Sequence, residues 1–93
     1  MNSIIYKYPL LSGTGTGGDQ VIYLPIGSVP LSVGVQGGQP VLWVMLPNLH
    51  VSKSEGRRFK IQTTGNPFDS AGMTFIGTFQ IDWFVGHLFE APL

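Results

Sequence analysis

Few residues in this chain have the chemistry for catalysis or metal binding, and those few are scattered. His50 and His87 are far apart, and the carboxylates Asp19, Glu55, Asp69, Asp82 and Glu90 stand singly. No group of them has the short spacing from which a metal site is built. A Ser-His-Asp triad would have to be gathered from distant segments, and no nucleophile elbow marks one. Gly13, Gly15 and Gly18 fit the pattern G-x-G-x-x-G. A phosphate cradle of that type must open a helix, whereas Val21-Ile22-Tyr23-Leu24-Pro25 reads as a strand. The expectation is a protein that is not an enzyme and carries neither metal nor cofactor.

One segment stands out. Arg57, Arg58 and Lys60 form the chain's only concentration of cations, and on an extended strand Arg58 and Lys60 project from the same face. Thr63, Thr64 and Asn66 follow as uncharged hydrogen-bonding groups, and the turn glycines Gly65 and Gly72 can bring backbone amides close to an anion. Two readings remain open. The charges protect an edge strand from aggregation, or Arg57, Arg58, Lys60, Thr64, Gly65 and Asn66 form a binding surface for a small anionic molecule or an acidic protein.

Composition sets the frame in which such a surface would act. Hydrophobic residues make up 43% of the 93, and charged residues only 11%, about half the usual share for globular domains. With five positive charges balancing five negative ones, the chain has neither the charge excess of a disordered polymer nor the basic surplus that binds extended nucleic acid by counterion release. The length supports one hydrophobic core, and the lack of cysteine excludes disulfides and thiolate zinc sites. The first residues lack the pattern of a signal sequence, and no apolar run is long enough for a membrane helix. We therefore expect one cytoplasmic domain with no membrane association.

Thirteen glycines and seven prolines cut the apolar runs to strand length. Strands are expected at residues 3–8 and 21–24, then in a segment where Leu31, Val33 and Val35 share one face. Gly37-Gly38 suits a type I′ hairpin turn, in which both central residues take positive φ. Residues 40–46 lack polar alternation, so both faces of that strand need cover. Leu42, Trp43 and Val44 are accordingly the candidate contact to a second copy of the chain in a homo-oligomer. Residues 50–56 read as a solvated loop. Phe59, Ile61 and Thr63 then alternate with Arg58, Lys60, Gln62 and Thr64, and Met73, Phe75, Gly77, Phe79 and Ile81 share a further face. A last strand starts near Trp83, and both tryptophans, Trp43 and Trp83, are expected in the core unless one marks an interface. About seven short strands make an all-β fold, a compact antiparallel sandwich or a small barrel.

Three stretches, taken in order, resemble a family of small tailed-phage and prophage proteins known as a domain of unknown function, DUF7352. Val33-Gly34-Val35-Gln36-Gly37-Gly38-Gln39-Pro40-Val41-Leu42-Trp43 is similar to its V-x-V-Q-x-G-x-P-x-L-W hairpin. Thr64-Gly65-Asn66-Pro67 is similar to its T-G-x-P turn. Ile76-Gly77-Thr78-Phe79-Gln80 and His87-Leu88-Phe89-Glu90 complete the set. The glycine-rich insertion at residues 13–18 and the less acidic turn at 68–72 depart from the family pattern. The resemblance implies a phage accessory protein and brings no established activity. Together with the low charge, it leads to the expectation of a non-enzymatic binding protein in the host cytoplasm. Such a protein would act against bacterial defence by docking on a host protein or sequestering a small nucleotide signal. The alternative is a minor structural or assembly component of the virion.

Overall fold

In the computed structural model, which describes residues 2–11, 19–47 and 53–93, the short apolar runs form seven antiparallel strands and, among the described residues, no helix. The glycine-rich insertion at residues 13–18 and His50 lie outside the described residues. Strands β1 (Ile4–Pro9), β4 (Gln39–Leu46) and β3 (Val29–Gln36) form one sheet in that order. The second sheet has the order β2 (Gln20–Pro25), β5 (Ser54–Thr63), β7 (Phe84–Ala91) and β6 (Thr74–Ile81). The sheets stack as a sandwich rather than closing into a barrel.

The core lies between the sheets and follows from strand alternation. The three-stranded sheet contributes Leu42, Val44 and Leu46 from alternate positions of β4, and the four-stranded sheet contributes Leu24, Phe59, Ile61, Leu88 and Phe79. Each such side chain contributes roughly 1.5–3 kcal/mol on leaving water. Gly37 and Gly38, at φ +57° and +75°, form the two-residue turn between Gln36 and its partner Gln39. That is the I′ geometry expected from the Gly-Gly pair.

Two bulges change the register read from the sequence. One lies between Pro30 and Ser32, where proline supplies no N–H to the ladder. As a result Val33 packs against the core while Leu31 remains exposed, whereas Val35, on the same side as Val33, is exposed near the hairpin end of β3. The other lies between Phe75 and Gly77, and it reverses the face on which Phe75 would stand if it shared a side with Phe79. Phe79 is buried inside, and Phe75 lies outside against Phe89.

Residues 54–56, expected in a loop, belong instead to β5, where Ser54, Glu55 and Gly56 pair with Pro25, Leu24 and Tyr23. Backbone pairing with β2 extends the strand where side-chain pattern gives no sign of it. Asp82 and Trp83 form the turn between β6 and β7, so Trp83 precedes the last strand and is 90% exposed, outside the core.

Candidate binding face

Because Phe59 and Ile61 point into the core, alternation sends Arg58, Lys60 and Gln62 to the outer face of the four-stranded sheet. Antiparallel register then sets their neighbours, since directly paired residues share a face. Arg58 lies beside Val21 on β2 and Ala91 on β7. One step along, Lys60 pairs with Phe89, and Phe89 with Phe75. The next row is Gln62, His87 and Thr78. Phe89 is also the centre of an aromatic group, with Phe68 at 5.3 Å and Phe75 at 5.4 Å between ring centroids. Asp19 stands between the two cations at long range, 3.7 Å from Arg58 and 3.9 Å from Lys60. Exposed pairs of this kind contribute little, so both cations remain available to a ligand.

Arg57 does not belong to this group. Its parity places it on the opposite side of the sheet, where Nε and Nη2 donate to Glu90 Oε2 and Oε1 at 2.6 and 2.7 Å and Nη1 donates to the Ser28 carbonyl at 2.6 Å. The Glu90 hydrogen bonds hold the guanidinium above the ordinary arginine pKa, outweighing the opposing effect of burial. Arg57 is thus a tie between β7 and the turn that leads into β3, already committed to partners within the chain. The clustering of Arg57 with Arg58 and Lys60 in sequence is separated by the pleat.

Thr64 opens the turn that follows β5. Its hydroxyl is hydrogen-bonded to His87 Nε2 at 2.7 Å, and the Thr78 hydroxyl is bonded to Nδ1 at 2.9 Å, so the imidazole is held by two threonines. Neither backbone nor Glu90 makes those contacts. Gly65, at φ +89°, turns the chain, and the Asn66 amide donates to the Thr63 carbonyl at 3.3 Å. The Asn66 side chain donates to Thr63 Oγ1. Both of these Asn66 donors are therefore occupied by Thr63. The face divides into a cationic and aromatic half around Arg58, Lys60 and Phe89 and a half around His87 lined by Gln62 and threonine hydroxyls. Among the described residues no cluster of three His, Cys, Asp or Glu side chains could hold a metal ion.

On the other sheet, Leu42 and Val44 are 0% exposed within the chain's own core, so they offer no surface to a second copy. The apolar run is explained from inside: one face of β4 is core. Trp43 points the other way, flanked by Lys7 on β1 and Ser32 on β3. The missing side chain at Gly34 makes room for its indole, whose Nε1 lies 3.2 Å from where a Cβ would stand. Exposed Ile5 and Val29 lie alongside Met45 on this same outer face. Sequence reading had no signal for the exposure of Trp83, because a tryptophan at a hairpin tip looks in sequence like the start of a buried strand.

Fold and face together describe a small antiparallel β-sandwich whose wider sheet presents cations beside aromatic rings. A family model described as Domain of unknown function (DUF7352) matches residues 1–93, and the chain belongs to that family. No curated protein and no solved structure matches the chain.

Proposed function

We propose that this is a non-enzymatic binding protein that takes a small anionic ligand on the outer face of its four-stranded sheet. The observation that carries the reading is the row Lys60–Phe89–Phe75 with Arg58 beside it. Phe75 is 56% exposed, although its ring could have been buried by a one-residue change of register. A solvent-facing aromatic group next to two cations adds little to stability and suits contact with a partner. The zero net charge favours a small ligand over a long polyanion, since there is little counterion release to gain.

The family resemblance suggests the setting: a phage accessory protein made in the infected cell and acting in the host cytoplasm, where sequestering a nucleotide signal would blunt a bacterial defence. Docking on a host protein is the same reading with an acidic surface as the anion. Self-association belongs to the proposal as well, through the outer face around Trp43 rather than through Leu42 and Val44.

Native mass spectrometry of the protein purified from cells tests the reading, with wild type compared against the double variant Arg58→Glu, Lys60→Glu. The expected result is an anionic adduct on wild type that the folded variant lacks. An adduct kept by the variant would place binding elsewhere. Abundant copies of the protein in purified particles would instead identify a virion component.

A further inference from the structure

The outer face of the four-stranded sheet carries a second aromatic platform beyond the phenylalanine group. Tyr23 on β2 pairs with Gly56 on β5 and is 70% exposed. Its ring lies across that glycine: a Cβ added at Gly56 would stand 3.3 Å from Tyr23 Cε2 and 3.4 Å from Cζ. Gly56, Arg58 and Lys60 occupy the same face of β5 at successive outward positions. The order along the strand is therefore Tyr23 over Gly56, then Arg58, then Lys60 beside Phe89 and Phe75. Four residues separate the Tyr23 row from the Phe89 row, about 13 Å along the strand at roughly 3.3 Å per residue, and Tyr23 and Phe89 stand on opposite neighbours of β5, roughly 9–10 Å apart across the sheet, so the two platforms are about 16 Å apart at the backbone.

We propose that the ligand of this face is of dinucleotide size: two flat rings joined through phosphate, one ring on Tyr23, the other on Phe75 and Phe89, and the phosphate on Arg58 and Lys60. The inference rests on the binding-face reading above and adds the ligand class. Aromatic side chains with cations between them are the arrangement that holds successive bases and their backbone. The charge present fits a short ligand, because the two cations share the nearby Asp19. That carboxylate competes with a phosphate, so its removal strengthens binding. Gly56 lets the ring lie this close, since an added Cβ would stand 3.1 Å from Val21 Cγ1 and 3.3 Å from Tyr23 Cε2 and crowd both side chains.

Calorimetric titration with four probes tests the proposal: pyrophosphate, adenosine monophosphate, the 5′-phosphorylated adenylyl dinucleotide, and a twelve-residue oligoadenylate. The dinucleotide should bind at least about tenfold more tightly than the mononucleotide, as a second stacked base implies. Tyr23→Ala and Phe75→Ala should each remove most of that advantage, and Asp19→Asn should tighten dinucleotide binding a few-fold. Circular dichroism confirms that each variant is folded, and the exposure of all three side chains makes loss of fold an unexpected result. Equal affinities for mononucleotide and dinucleotide, or an unaltered Tyr23→Ala variant, would overturn the two-ring inference. Affinity that keeps rising to the oligomer would overturn the size. Pyrophosphate binding as tightly as the dinucleotide would overturn the ring class while leaving the anion face in place. No binding of any probe would overturn both.

Discussion

Replacing Arg57 by alanine separates its structural role from the binding role of its sequence neighbour. Three charge-assisted hydrogen bonds disappear, two to Glu90 and one to the Ser28 carbonyl. Breaking a fully buried pair by removing one partner costs about 3–5 kcal/mol, whereas an exposed pair contributes at most about 1 kcal/mol. With side-chain exposures of 18% and 22%, this pair falls between, and the released carboxylate recovers part of its hydration. The expected loss is about 2–3 kcal/mol, a large part of the roughly 5–14 kcal/mol typical of a domain this size. In a thermal scan that corresponds to a fall in Tm of roughly 10–20 °C. Arg58→Ala, by contrast, should stay within about 0.5 kcal/mol of wild type. Urea denaturation of both variants, completed to a cycle with Glu90→Gln, measures the coupling directly. The raised Arg57 pKa contributes stability that is fully present below the unfolded-state value and lost as pH climbs through the folded-state value. The arginine therefore adds no pH dependence outside strongly alkaline solution. If Arg57→Ala unfolds within about 0.5 kcal/mol of wild type, Arg57 does not tie β7 to the turn before β3.

Three further outcomes follow from the geometry. Gly38→Val should cost about 1–2 kcal/mol in urea although nothing lies within 4 Å of the new Cβ, because the penalty is the positive φ alone; an unchanged midpoint would contradict the I′ turn. Gly86→Ala should be destabilising by about 1–3 kcal/mol, since its Cβ would stand 2.5 Å from Phe79 Cζ in the core, and a neutral result in the same assay would show that the ring has room to move. Trp83→Ala should leave the denaturation midpoint unaltered and remove the fluorescence component most open to acrylamide; a clear loss of stability would show that Trp83 is packed.

Much of the fold was legible because alternation is a local property. The Gly-Gly hairpin, the inward Phe59 and Ile61, and the outward Arg58 and Lys60 each follow from a few adjacent residues. What failed was whatever depends on partners distant in sequence. The bulge after Phe75 is decided by how β6 meets β7, and nothing in Phe75-Ile76-Gly77 announces the change of side. Residues 54–56 carry no strand pattern, yet pairing with β2 makes them strand. For the candidate face, Arg58 and Lys60 were readable, but Tyr23, Phe75 and Phe89 enter only through register across strands. Arg57 looked like a third surface cation because its partner Glu90 arrives from the other end of the chain.

The proposed function depends on anion binding at the outer face of the four-stranded sheet. Two-dimensional NMR with pyrophosphate as probe tests it residue by residue. Saturable shifts should be largest at Arg58, Lys60 and Phe89 and absent in the double variant Arg58→Glu, Lys60→Glu. Shifts centred on the face around Trp43, or none above background at Lys60, would contradict it.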